Sequence, residues 1–219
     1  MFRGQSEQDK FVLNILKFKK KGFFVEIGSN HPILLNNSYI LEHTYNWSGI
    51  MIEYDVGWKK FYNKIRPNSI PIMNDATKID YKQSFEINKV PLNIDYLQID
   101  VEPENGSTLT TLKNIDSQVM DKYKFAVITF EHDCKEGISH IPIVQQTRLE
   151  SREILKKRGY ICVFKDIHNI DPKYVYEDWW VHPELVDMDY VNLLMEKNKN
   201  KYEFNDITDT SINWKNIEY

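Results

Sequence analysis

The sequence predicts one α/β domain on a doubly wound, mostly parallel sheet with helices on both faces, and three features predict it. Short, almost continuously apolar runs recur along the 219 residues, amphipathic stretches separate them, and the runs close on acidic residues. A strand buried under helices on both sides reads as continuously apolar, whereas a half-exposed strand alternates. Strands alternating with helices of this length indicate βαβ units.

The elements follow in order. Residues 8–18 place Phe11, Val12, Ile15 and Leu16 on one helical face, so residues 1–21 are read as a helical extension that packs on the sheet. The strand runs are GFFVEIG (22–28), GIMIEYD (49–55), IPIMNDA (70–76), DYLQIDVE (95–102), FAVITFEHD (125–133) and YICVFKD (160–166). Between them NNSYILEHTYNW, DVGWKKFYNKIR, STLTTLKNIDSQVMDKY and QQTRLESREILKKRG carry apolar residues at three- and four-residue spacings, as amphipathic helices do. The folded domain is expected to span 1–188. Residues 189–219 are polar and are expected to form a tail or a partner-contacting arm.

The formal charge is -4, from 28 basic and 32 acidic residues spread along the chain, and no basic stripe is present to collect phosphates. This argues against a nucleic-acid partner. The two cysteines, Cys134 and Cys162, form no C-x-x-C motif, which fits a reducing cytoplasmic setting. No apolar stretch approaches the roughly 20 residues that span a bilayer, so a soluble protein without membrane contact is expected. Nothing in the pattern specifies an oligomeric state.

The closing acids Glu26, Glu53, Asp75, Asp100 and Glu131 recur at intervals of one βα unit. Ligands of open α/β sheets bind outside the carboxyl ends of the strands, so these residues should face a cofactor. The loop after the first run, Glu26-Ile27-Gly28-Ser29-Asn30, has one glycine where a dinucleotide site needs G-x-G-x-x-G. An anionic strand end suits a cofactor that lacks phosphate and carries positive charge. Glu53, followed by Tyr54, is placed to accept ribose hydroxyls, and Asp75-Ala76 to meet an adenine edge.

Gly4-Gln5 with Gln8-Asp9, GFFVEIGSN, NSYILEH at 37–43, WSGIMIE at 47–53, DYLQIDVE, VITFEHD at 127–133 and SREILKKRGY at 151–160 occur together and in order. In these segments the chain resembles the FkbM-type methyltransferases, from about Gly4 to Asp187. The resemblance implies a Rossmann-like class I methyltransferase fold, S-adenosylmethionine as donor, and a hydroxyl acceptor on a sugar or glycan. It implies cofactor contacts at Glu26, Gly28, Ser29, Glu53, Asp75 and Asp100. Two segments depart from the family pattern: His31-Pro32-Ile33 replaces a small glycine-bearing loop, and Asp100-Val101-Glu102-Pro103 replaces D-x-E-G.

Methyl transfer to a hydroxyl requires a group that removes or polarises its proton. The candidates are Asp100, Glu102, Glu131, Asp133 and His132. The histidine suits a general base near neutral pH, and the carboxylates alternatively gather a divalent cation that lowers the acceptor's pKa. Trp179 and Trp180, with flanking acids and His182, suit a pyranose ring; the plainer role for the tryptophans is to close the core. Arg148 and Arg152 share a helical face, either as a solvated pair or as a site for an acidic group on the acceptor. Alternative readings are methylation of a nucleic-acid ribose or cap hydroxyl and a catalytically silent Rossmann module. An NAD-dependent oxidoreductase is the weakest fit.

Overall fold

The computed structural model describes residues 2–134, 140–169, 171–206 and 209–219. The strands run β1 (Phe23–Ile27), β2 (Ser48–Glu53), β3 (Ser69–Met73), β4 (Asn93–Ile99), β5 (Lys124–Glu131), β6 (Ile161–His168), β7 (Glu177–Val181), β8 (Tyr202–Asp206) and β9 (Asp209–Asn213). The helices are α1 (Gln8–Ile15), α2 (Tyr39–Tyr45), α3 (Lys59–Ile65), α4 (Tyr81–Ile87), α5 (Ser107–Gln118), α6 (Pro142–Lys157) and α7 (Met188–Asn198).

All strands lie in one sheet of order β3-β2-β1-β4-β5-β7-β6-β9-β8. From β3 to β5 the pairing is parallel, and β7 inserts antiparallel between β5 and β6. The expected Rossmann-like, mostly parallel sheet is therefore the one observed, and its six continuous apolar runs are the strands β1 to β6. Each side chain direction feeds one of two cores. Val25, Ile27, Ile50, Leu97 and Trp180 pack under α4, α5 and α6, while Phe24, Met51, Tyr96, Val127 and Trp179 pack under α1, α2, α3 and α7. This two-sided burial is why those strands are apolar without alternation. No helix of the described residues is long and apolar enough to cross a membrane.

Two expectations are corrected. Residues 189–219, expected to be a polar tail or arm, carry most of α7 and then β8 and β9, with β9 pairing parallel to β6 at Ile167↔Ile212. The helix buries a narrow stripe, Val191 and Leu194, and Asp187 caps it by accepting from Asp189 N and Tyr190 N. Asn198 ties its end down, donating to Glu218 O at 2.9 Å and accepting from Glu218 N at 2.9 Å. The second correction is Glu177–Val181, expected to hold a sugar platform: it is an interior strand, and Trp179 and Trp180 are both fully buried on opposite faces. Trp179 stacks on Phe11 at 4.6 Å, which clamps α1 to the sheet.

Candidate active site

The strand order reverses between β1 and β4, and a cleft of about 730 Å³ opens there at the carboxyl ends of the strands. Register places its groups. Ile27 pairs with both Ile52 and Ile99, so Gly28, Glu53 and Asp100 emerge in a row, and Ile99↔Phe130 brings Glu131 alongside Asp100. Gly28 sits at φ 84, and a Cβ there would lie 1.7 Å from the Asp100 carbonyl oxygen. Only glycine lets β1 and β4 approach so closely at this end.

The nine residues expected at the donor site, Glu26, Gly28, Ser29, Asn30, Glu53, Tyr54, Asp75, Ala76 and Asp100, all line the cleft. Their roles differ. Glu26 is 1 % exposed, and its carboxylate accepts from Ser38 N at 3.1 Å, Ser38 Oγ at 2.9 Å and Asn36 Nδ2 at 3.1 Å. Burial raises its pKa against the pull of Arg66. Arg66, itself buried, binds Glu42 at 2.7 Å, Ser38 Oγ at 2.7 Å and Asn36 Oδ1 at 2.9 Å. Glu26 thus anchors the loop 29–38 that forms one wall.

Glu53 accepts one backbone N–H on each oxygen, from Asn30 at 2.7 Å and Asp55 at 2.8 Å. Each oxygen keeps a lone pair for a ligand donor. Asn30 reaches this position at φ 46, a conformation asparagine tolerates, and the Tyr62 hydroxyl donates to its carbonyl. Asp75 caps the following turn by accepting from Thr77 N at 3.0 Å; hydrogen bonds from Lys78 and Thr77 lower its pKa to about 2.

At the inner end, Asp100 and Glu131 hydrogen-bond to each other; burial raises both, Asp100 also through the charges of Asp133, Glu102 and Glu53 although the bond to Glu131 lowers it, and Glu131 also through Asp100 itself. Glu177, opposite Glu131 across β5 and β7, is raised by burial to about 8 and accepts from Gln8 Nε2 at 2.8 Å. Glu102 is exposed on the rim.

The remaining expected residues lie elsewhere. His132 is fully buried; its Nδ1 accepts from Cys134 N at 3.2 Å, and its Nε2 sits 3.5 Å from Asp166 and 3.6 Å from Asp178. This corrects its expected role as base, since it faces an internal charge network and not the cleft. Arg148 and Arg152 belong to the same network. Arg148 grips Asp166 at 2.8 and 2.7 Å, and Arg152 binds Asp178 at 2.7 and 2.9 Å and Asp166 at 2.7 Å. Arg152 holds the Asp178 carboxyl well below the carboxylate range, against burial. The expected acceptor contact at Arg148 and Arg152 is therefore corrected to a buried ion-pair cluster. His182 is corrected too. Its N–H bonds the Ala126 carbonyl near the amino end of β5, opposite the cleft, and its ring meets Tyr160 edge-on at 5.0 Å.

The described residues hold one group of acids and histidine with metal-ligand spacing, His132, Asp166 and Asp178. Two guanidinium groups already neutralise those carboxylates. At Asp100 and Glu131, where a divalent cation was an expectation, two buried carboxyls lie side by side with raised pKa values.

Gln98 and Asn37 are among the cleft residues that escaped sequence reasoning. Gln98 is 3 % exposed and Asn37 is 4 % exposed, both line the cleft, and Gln98 Oε1 and Asn37 Oδ1 have no hydrogen-bond partner. A signal existed for Gln98: it is a polar residue inside the otherwise apolar run DYLQI. Such a residue is costly in a strand unless something meets it.

No protein-family model matches the chain, and no curated protein matches it in sequence. Its fold is similar to that of an O-methyltransferase from Bacillus cereus, solved in complex with SAH, at 17 % identity and a TM-score of 0.55 over 80 % of this chain and 80 % of that one. It is also similar to a putative rRNA-methylase from Clostridium thermocellum, at 13 % identity and a TM-score of 0.51 over 83 % of this chain and 98 % of that one. These likenesses place the chain in the Rossmann-like methyltransferase fold.

Proposed function

We propose that the chain is an S-adenosylmethionine-dependent methyltransferase that acts on a hydroxyl of a sugar or glycan. The observation that carries the donor is the character of the cleft. Glu26, Glu53, Asp55, Asp75, Asp100 and Glu102 line it, and among the described residues no lysine, arginine or histidine does. A pyrophosphate finds no counter-charge there, while a sulfonium and an ammonium do. The methyltransferase fold shared with the two solved enzymes supports the same reading.

The residues divide the work. Glu53 accepts ribose hydroxyls, Asp75 and the Ala76 backbone meet the adenine, and Gly28 with Ser29 gives the backbone its close approach. When bound, S-adenosylmethionine supplies a methyl group on a positively charged sulfur. The ionised member of the Asp100–Glu131 pair takes the acceptor's hydroxyl proton; its raised pKa makes it a stronger base than an ordinary carboxylate. A sugar, rich in hydroxyl donors, fits an acid-lined wall with free acceptors, and nucleic acid fits poorly for want of basic residues.

The test is transfer of a labelled methyl group from S-adenosylmethionine to a panel of glycans and to RNA, with and without a chelator. Labelled glycan, unaffected by chelation, is expected. Labelled RNA alone would replace the sugar by a ribose hydroxyl, and donor binding without any labelling would make the chain a silent module.

A further inference from the structure

The chain carries no acidic residue from Val56 to Asn74, and within that stretch α3 brings Lys59, Lys60 and Lys64 to the surface. The run is basic in a chain whose formal charge is -4. Lys60 and Lys64, four residues apart, share one helical face. Among the described residues none of the three lysines meets a carboxylate, whereas Lys17, Lys113 and Lys124 are each paired with one.

Large apolar side chains lie exposed beside these charges. Val56 is 69 % and Phe61 41 % exposed, and Leu34 and Leu35, on the neighbouring loop, are 57 % and 68 % exposed. The two segments form one surface: the Trp58 ring meets His31 edge-on at 5.2 Å and Phe61 at 5.7 Å, and His31 Nδ1 accepts from Leu34 N at 3.0 Å. The Lys60 ammonium lies 4.9 Å from the Phe61 ring, an arrangement that keeps the stem on apolar surface and the charge in water. Leu34, Leu35 and Trp58 also line the donor cleft, whereas Val56 and Phe61 do not, so a bound donor leaves those two uncovered.

We propose that this face docks the protein on an anionic lipid bilayer. Exposed aliphatic and aromatic side chains enter the headgroup boundary, and the lysines beside them meet the lipid phosphates and carboxylates. A nucleic-acid backbone would neutralise the lysines but leave Val56 and Leu35 in water, so it answers only half of the surface. Contact of this kind needs no spanning helix, and none occurs among the described residues. Because Leu34, Leu35 and Trp58 belong to both surfaces, docking turns the rim of the cleft towards the membrane. Nothing in this contact depends on the chemistry of the cleft.

The test is cosedimentation of the full chain with vesicles of phosphatidylcholine alone and of equimolar phosphatidylcholine and phosphatidylserine. Saturable binding to the phosphatidylserine vesicles is expected, with binding to phosphatidylcholine weaker by about tenfold or more. Lys60→Gln with Lys64→Gln is expected to weaken binding by about 25-fold, at about fivefold per lysine near an anionic surface. Val56→Ser with Phe61→Ser is expected to weaken it by about tenfold or more. Both variants change exposed side chains, and an unaltered circular dichroism spectrum and melting temperature shows them folded. No binding to phosphatidylserine, equal binding to the two vesicles, or binding that either folded variant leaves unchanged overturns the proposal. Retention of RNA by the same lysines without vesicle binding, or a dimer that Val56→Ser with Phe61→Ser dissolves without vesicle binding, assigns the face to another partner and also overturns it.

Discussion

Asp100 and Glu131 join their carboxyl groups in a hydrogen bond at the carboxyl ends of the adjacent strands β4 and β5. Two buried carboxyls in contact cannot both stay ionised, so the pair keeps a proton to higher pH than either would alone. Glu131→Gln keeps the shape and removes the exchangeable charge. It is expected to lower turnover by about 100-fold or more, with S-adenosylhomocysteine affinity nearly unchanged, as measured by steady-state kinetics and calorimetry. Unchanged turnover would remove the pair from proton transfer.

Arg152 neutralises Asp166 and Asp178 in the interior. Arg152→Ala leaves buried carboxylates short of a partner and is expected to cost about 3–5 kcal/mol of stability, read by urea unfolding. A loss confined to acceptor affinity, with stability intact, would restore the arginine to the acceptor side.

Glu177 is raised by burial from the usual 4.5 to about 8. The folded state therefore holds its proton where the unfolded chain has released it. This contribution is fully present below about pH 4.5 and is lost as pH rises towards 8, by on the order of 1 kcal/mol per pH unit at most. Glu177→Gln is expected to flatten the difference in unfolding free energy across that window and to stabilise the protein above pH 8, the Gln8 contact being retained. A wild-type slope unchanged by the substitution would contradict the burial argument.

Gly28 is the one position where β1 meets the Asp100 carbonyl without a side chain between them. Gly28→Ala combines a positive φ with that close approach. It is expected to spread the ends of β1 and β4 and to abolish S-adenosylhomocysteine binding, measured by calorimetry on protein whose circular dichroism shows it folded. Retained affinity would mean that the cleft tolerates a wider β1–β4 gap.

Strands β1, β2, β4 and β5 were legible in the sequence because burial on both faces leaves an unmistakable apolar run, and the acids that close the strands were legible because register repeats with the βα period. Strand β7 was not. Glu177 and Asp178 look like surface acids until Gln8 and Arg152, from α1 and α6, are brought to them by the fold. The same tertiary pairing hid the role of His132, whose neighbours Asp166 and Asp178 are remote in sequence. The end of the chain misled through composition, since α7 docks through a narrow stripe, Val191 and Leu194 with Met188, Tyr190 and Met195 beside them. In the site, Glu53, Asp75 and Asp100 could be read from position alone. That Glu26 serves the loop through Ser38 and Asn36 depends on where residues 36–38 fold back.

The central claim is that an acid-lined cleft at the β1–β4 reversal holds S-adenosylmethionine. Calorimetric titration of the purified protein with S-adenosylhomocysteine, NAD and NADP tests it most directly. Saturable binding of S-adenosylhomocysteine alone, weakened by Glu53→Ala, is the predicted result; binding of a dinucleotide without S-adenosylhomocysteine would contradict it.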